Sequence, residues 1–232
     1  MVTKILSIEE RRELYERMRG SIVCICEKTG KTDNLIGGGV FIEVGSRQLV
    51  LTAAHVVYKK SNLHIVSCDK KSYVVQQLHF DVKRDVALLD VLHKPDDGFE
   101  CARLCEINEL NKKSEIHFIG HPGRQTFTYN IGNIYCAEKT CGDIYRDIGL
   151  WNLHKFQEHD FIDDFRELAA SLRLVQAKNV HGGGRYGGTG APFLDGDGNI
   201  VGLYSFTFQE EDHAVHVSDI KASIMSLNGK GK

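Results

Sequence analysis

GGGRYGGTGAPFLDGDGNIVGLYS, residues 182–205, packs a glycine-saturated turn, one hydroxyl residue and an apolar strand signal into one short stretch. Glycine serves where the backbone takes φ > 0 or approaches another group closely. Five glycines among the seven positions from Gly182 to Gly188, followed by Gly190, therefore specify an unusual and tightly shaped loop. Such a loop aims backbone N–H groups at one point, and the side chain at its centre is Thr189. A hydroxyl flanked by convergent N–H donors suits acyl-transfer chemistry. The same composition also fits a plain surface turn between strands, so the rest of the chain has to decide.

Upstream of this loop, short apolar runs rich in β-branched residues recur at Ile22–Cys26, Gly39–Glu43, Gln48–Thr52, Leu63–Cys68, Tyr73–Leu78, Val86–Val91, Glu115–Ile119 and Thr126–Ile134. Evenly spaced short strands with glycine-marked turns indicate an all-β barrel or sandwich rather than alternating βαβ units. Residues 92–114 are polar, contain Pro95-Asp96-Asp97-Gly98, and read as the connection between two halves. Ser7-Ile8-Glu9-Glu10 has the form of a capping box and predicts a short helix over 8–18 with Leu14 and Met18 on its inner face. From Cys136 to Leu172 the strand rhythm stops. Phe161, Phe165, Leu168 and Leu172 share one stripe of an amphipathic helix starting near Asp160, an insertion packed on the barrel or a lid over a cleft.

Two stretches of the first half carry chemistry. Leu49–Val57 runs from a strand through Ala53 and Ala54 to His55, and small neighbours suit an imidazole that serves as general base. Asp85 stands immediately before the apolar run Val86–Leu89, where a carboxylate held at a core edge can orient a histidine. Taken singly, a lone histidine is as well read as a core residue and a lone aspartate as a turn residue.

Composition narrows the function class. The chain has 232 residues, 42% hydrophobic content and a formal charge of −2, so one compact core or two fused halves are within reach and no basic field invites nucleic acid or anionic lipid. No apolar run reaches membrane-spanning length and the N-terminus lacks a signal-peptide core, so a cytoplasmic or nuclear location is expected. The seven cysteines have neither the even count nor the spacing of a secreted disulfide framework. Cys101/Cys105 and Cys136/Cys141 lack zinc-knuckle spacing, so buried thiols are expected and no metal; no cofactor motif is present.

LTAAHV around His55, RDVALL around Asp85 and GGTGAP around Thr189 stand in the order His, Asp, hydroxyl. With Ile36–Phe41, the Phe118–Pro122 turn, Leu174–Ala177 and the Pro192–Gly202 run, they make the sequence resemble the trypsin-like proteases, most closely their HtrA/Deg branch, over nearly all of Ser21–Ser218. The resemblance implies an all-β fold of two six-stranded antiparallel β-barrels with the site in the cleft between them. It divides the chain into an N-terminal helix (1–19), a first barrel (20–110) and a second barrel (111–232) carrying a helical insertion at about 140–172. The peptide-binding PDZ module common in that branch is absent from these residues.

It further implies that His55 is general base and then general acid, that Asp85 holds its tautomer, and that the N–H groups of Gly187 and Thr189 form an oxyanion hole. Ser205 would support the aspartate. Gly183, Phe206, Thr207 and His213 would line the specificity pocket, where His213 or His216 would favour an acidic or amide side chain. The departures are Gly188, where the family carries an acidic or amide residue, and Thr189, where it carries serine. The methyl of threonine restricts χ1 and must sit beside the imidazole or the incoming carbonyl. Two functions are therefore expected: an endopeptidase cutting protein substrates with a His-Asp-Thr triad, or a pseudoprotease that binds a peptide or protein without cutting it. The sequence does not specify an oligomeric state.

Overall fold

The computed structural model describes residues 5–106, 110, 112–144, 146, 168–180, 187–208 and 210–229. Strands β1 (Ile22–Thr29), β2 (Thr32–Val44), β3 (Arg47–Thr52), β4 (Leu63–Ser67), β5 (Ser72–Asp81) and β6 (Val86–Val91) close a first barrel in the order β1-β2-β3-β6-β5-β4. Strands β7 (Glu115–Gly120), β8 (Thr128–Thr140), β9 (Arg173–Lys178), β10 (Pro192–Leu194), β11 (Ile200–Phe208) and β12 (Glu211–His216) close a second in the order β10-β11-β12-β9-β8-β7. Neighbouring strands pair antiparallel in both, and closure leaves neither barrel a bare edge. The expected pair of six-stranded antiparallel barrels is thus what the chain forms.

Both barrels fill with the apolar runs read above. Ile25, Phe41, Leu49, Leu51, Ile65, Leu88 and Leu89 are fully buried in the first. In the second, Phe118, Phe193 and Tyr204 meet with ring centroids 5.7–6.1 Å apart. Such aromatic pairs contribute about 0.5–1.5 kcal/mol each beyond the area they bury. The connection between the halves is stitched to both: Phe99 stacks on Phe41 at 4.0 Å, Ala102 N–H donates to the Phe41 carbonyl at 2.8 Å, and Ile200 N–H donates to the Arg103 carbonyl at 2.7 Å.

Helix α1 (Ile8–Met18) starts at the anticipated capping box: Ser7 Oγ accepts from Glu10 N–H, and Glu10 Oε2 accepts from Ser7 N–H. Leu14 and Met18 are buried, each stabilising by roughly 1.5–3 kcal/mol. Although α1 leads into the first barrel, its polar anchors lie on the second. Arg11 forks onto Glu115 of β7 at 2.7 and 3.2 Å, and Arg17 donates to the Asp197 carbonyl at 3.0 Å.

Two expectations need correction. Strand β8 does not stop at Ile134 but runs to Thr140, because register shifts after Ile134 and Cys136 let a segment with no clean alternation stay paired to β9. The sequence reading also assigned no helix to the C-terminal residues, yet Val217–Gly229 is helix α2, with Val217, Ile220 and Ile224 buried along one face. It reaches back to the first barrel, where His79 Nε2 and Ser223 Oγ lie 3.1 Å apart. The expected insertion helix, with Phe161 and Phe165, lies outside the described residues. Residues 141–144 form a helical turn, while Leu168 and Leu172 pack on the core from non-helical backbone. No helix among the described residues is long and apolar enough to cross a membrane.

Candidate active site

Strand β3 ends in a single helical turn, α3 (Ala54–Val57), whose first N–H groups have no partner within the turn. One of them belongs to His55, and Asp85 Oδ1 accepts it at 3.0 Å. The same carboxylate takes the imidazole: His55 Nδ1 is 2.9 Å from both Asp85 oxygens. A neutral ring that donates from Nδ1 carries its lone pair on Nε2, the protonation state a general base requires.

Asp85 reaches this position through its backbone. It ends the 3-10 turn Val82–Arg84 in the left-handed region, φ 53° and ψ 43°, which a short polar side chain tolerates better than an apolar one. Its side chain is only 5% exposed, and Ser205 Oγ donates to Oδ2 at 2.6 Å from the other barrel. Ser205 is aimed by a β-bulge: Tyr204 pairs with Ala214 and Phe206 with His213, so Ser205 is the extra residue of β11 and turns out of the ladder toward Asp85. His55 and Asp85 of the first barrel and Ser205 of the second are thus brought together where the two barrels meet.

The Thr189 loop is built from backbone. Ala191 N–H donates to the Gly188 carbonyl at 3.1 Å, closing a β-turn with Thr189 and Gly190 at its centre. Gly190 has φ +87°, the sign that a type II turn demands at this position. Three further bonds fix the turn: Gly38 N–H to the Thr189 carbonyl at 2.7 Å, Gly190 N–H to the Tyr204 carbonyl at 2.8 Å, and Tyr204 N–H to the Ala191 carbonyl at 2.9 Å. Gly187, φ +104°, lies so close to the His121 carbonyl that a Cβ there would run into it.

The specificity residues read from the sequence divide between two environments. Phe206 stacks on His213 with centroids 4.6 Å apart. The bulge sends Thr207 elsewhere: its Oγ1 lies 2.5 Å from Tyr204 Oη and donates to Asp212 Oδ1 at 2.8 Å. Burial of Tyr204 and the neighbouring Asp212 carboxylate push the Tyr204 phenol up. Burial pushes His213 down to about 4, so it is neutral at pH 7 and brings no positive charge for an acidic side chain. His216 is also fully buried and shifted down for the same reason. Gly183 lies outside the described residues.

Sequence reading passed over three contributors. His121 is fully buried, donates from Nε2 to the Val23 carbonyl at 3.0 Å across the barrel boundary, and is pushed down to about 4 by burial. Thr52 Oγ1 donates to the Gly38 carbonyl at 2.8 Å and braces the strand that holds Thr189. Asp212, 3% exposed, accepts from Thr207 in the polar chain that includes Tyr204. The buried thiols Cys24 and Cys141 are pushed up to about 12. Among the described residues no group of three or more His, Cys, Asp or Glu side chains could hold a metal ion.

The comparisons agree with this architecture. No curated protein matches the chain. A crystal structure of Rv3671c from M. tuberculosis H37Rv, an inactive Ser343Ala mutant, superposes with a TM-score of 0.71 at 18% identity, covering 100% of this chain and 99% of that one, which supports the fold alone. The trypsin-like peptidase domain matches residues 37–203, a span that holds His55, Asp85 and the Thr189 loop. The chain belongs to the trypsin-like peptidase domain family.

Proposed function

We propose that the chain is an endopeptidase that cuts protein substrates with His55, Asp85 and Thr189. His55 Nε2 takes the proton of the Thr189 hydroxyl as its oxygen attacks the scissile carbonyl carbon. The carbonyl oxygen becomes an oxyanion received by the N–H groups of Gly187 and Thr189. The imidazolium returns the proton to the leaving amine, and water then releases the acyl group from Thr189 by the same steps in reverse. The observation that carries this reading is the Asp85 carboxylate, buried yet bonded to His55 Nδ1, His55 N–H and Ser205 Oγ at once. A base that becomes an imidazolium is held in one tautomer and stabilised by a buried carboxylate on its Nδ1 side.

One feature favours a second reading, a pseudoprotease that binds peptide without cutting it. The β-turn fixes the Thr189 backbone, so its β-branched side chain has only χ1 with which to bring the hydroxyl rather than the methyl toward the substrate. Incubation with casein and a peptide library separates the two. The first reading expects cleavage that His55→Ala abolishes and Thr189→Ser accelerates. Equal background from wild type and His55→Ala, with retained peptide binding, eliminates it in favour of the second.

A further inference from the structure

We propose that helix α1 sets the conformation of the Gly187–Gly190 loop through Tyr15, Phe127 and His121, which makes Tyr15 and His121 positioning residues for the oxyanion-binding backbone. The functional weight of this inference rests on the peptidase reading of that loop.

The turn between β7 and β8 is strained. Arg124 has φ +68° and Phe127 φ +56°, in a region that bulky side chains avoid. Strain of this kind persists only where the surroundings hold it. Both backbone groups of Phe127 are held by side chains, one from α1 and one from the start of the same turn: Tyr15 Oη donates to its carbonyl at 3.1 Å, and its N–H donates to His121 Nδ1 at 3.0 Å. The Phe127 ring also packs edge-on against the His121 ring, centroids 4.9 Å apart.

His121 passes this geometry on. Because Nδ1 accepts from Phe127, the proton sits on Nε2 and donates to the Val23 carbonyl at 3.0 Å, so one neutral tautomer joins the strained turn to the first barrel. The His121 carbonyl is the floor beneath Gly187, and the His121 ring edge lies beside Gly38, whose N–H holds the Thr189 carbonyl at 2.7 Å. Two of the groups that border the loop, the backbone under Gly187 and Gly38, therefore meet at His121, and that residue is set by a turn that α1 clamps.

The clamp can be opened without detaching the helix, since Arg11 on Glu115, Arg17 on the Asp197 carbonyl and buried Leu14 and Met18 remain. Tyr15→Phe removes only the hydroxyl and keeps the ring against Tyr129. On a peptide substrate this variant is expected to lose about tenfold in kcat at nearly unchanged KM, and to bind a peptide aldehyde, which forms a tetrahedral adduct, about tenfold more weakly. Arg17→Met, on the same helix but off this path, is expected to match wild type in both.

A readout independent of turnover is the amide spectrum of nitrogen-15-labelled protein. The Phe127 and Gly187 resonances should move in Tyr15→Phe and stay in Arg17→Met. An unmoved Gly187 amide, or wild-type kcat and aldehyde affinity in Tyr15→Phe, overturns the proposal. If wild type cleaves nothing, the peptidase reading fails by itself, and the Gly187 resonance alone upholds or overturns the link from α1 to the loop.

Discussion

On the first-barrel wall of the cleft, His55 and Asp85 are joined to each other side chain to side chain and to Ser205 by its hydroxyl, all at 2.6–2.9 Å. On the opposite wall, the Thr189 turn is suspended from main-chain groups: the Gly38 N–H on the Thr189 carbonyl, the Gly188–Ala191 bond, and the Tyr204 carbonyl and N–H on Gly190 and Ala191. One wall is thus specified by residue chemistry, the other by residue shape and backbone conformation. A substitution on the first removes a group of the proposed proton relay and leaves the fold, whereas a substitution on the second displaces the loop and is felt through geometry. The difference also explains why residues as ordinary as Gly38 and His121 matter to the second wall.

The contrast can be broken most sharply at Asp85. Asp85→Asn keeps the size of the side chain, but with its oxygen kept on the His55 N–H it turns an amide N–H toward His55 Nδ1, so the wrong tautomer is held. A loss of about 10⁴-fold in kcat is expected, with little change in melting temperature. A variant that cuts peptides within roughly tenfold of wild type would mean the side-chain wall is not the chemical one.

Next in size is Gly190→Ala. A Cβ at φ +87° would run into Thr52 Oγ1 and the Gly38 carbonyl, so the turn must shift. Displacement on the order of 1 Å costs about 100-fold in rate, and the forced left-handed residue costs about 1–3 kcal/mol of stability. Here activity and thermal stability should fall together, unlike Asp85→Asn; an active, fully stable Gly190→Ala would contradict the backbone-held wall. Ser205→Ala should be milder, about tenfold in kcat, because Asp85 keeps its other donors.

The smallest effect is one of acid. The histidines that burial shifts down, His117, His121, His213 and His216, all belong to the second barrel. Each binds a proton less readily folded than unfolded, so unfolding takes up protons below about pH 6.5. Stability should be flat above pH 7 and fall as pH drops from about 6.5 toward the folded value of about 4 for His121 and His213. Urea midpoints at pH 7.5, 6 and 5 measure this, and a constant midpoint would show that these rings are charged when folded.

Legibility in the sequence followed the same division. The capping box at Ser7, the short apolar runs of the strands and the motifs around His55, Asp85 and Thr189 could be read because each is a local pattern of residue types. The extension of β8 to Thr140 could not, since it rests on two register shifts that leave no alternation to read. Helix α2 left a faint trace in Val217, Ile220 and Ile224, spaced for one helix face but with no Ser, Thr, Asp or Asn immediately before them; the first turn is capped instead by His216, whose Nδ1 accepts from Ser218 N–H at 3.1 Å. His121 looked like part of a turn motif. Its role comes from Val23, ninety-eight positions away, and from Phe127 held in an unusual conformation, neither of which composition encodes.

The two terminal helices each lean on the barrel that they do not adjoin in sequence: α1 on the second through Arg11 and Tyr15, α2 on the first through Ser223 and His79. During synthesis, therefore, α1 has no docking surface until β7 and β8 are made, and the first barrel lacks its covering helix until residues 217–229 have left the ribosome. The first barrel can close early, with His55 and Asp85 already adjacent, but Ser205 and the Thr189 loop arrive only with the last strands. Assembly of the site between the barrels is then among the later events of folding, and a nascent chain that ends before Thr189 holds the joined His55 and Asp85 without the hydroxyl proposed to meet them.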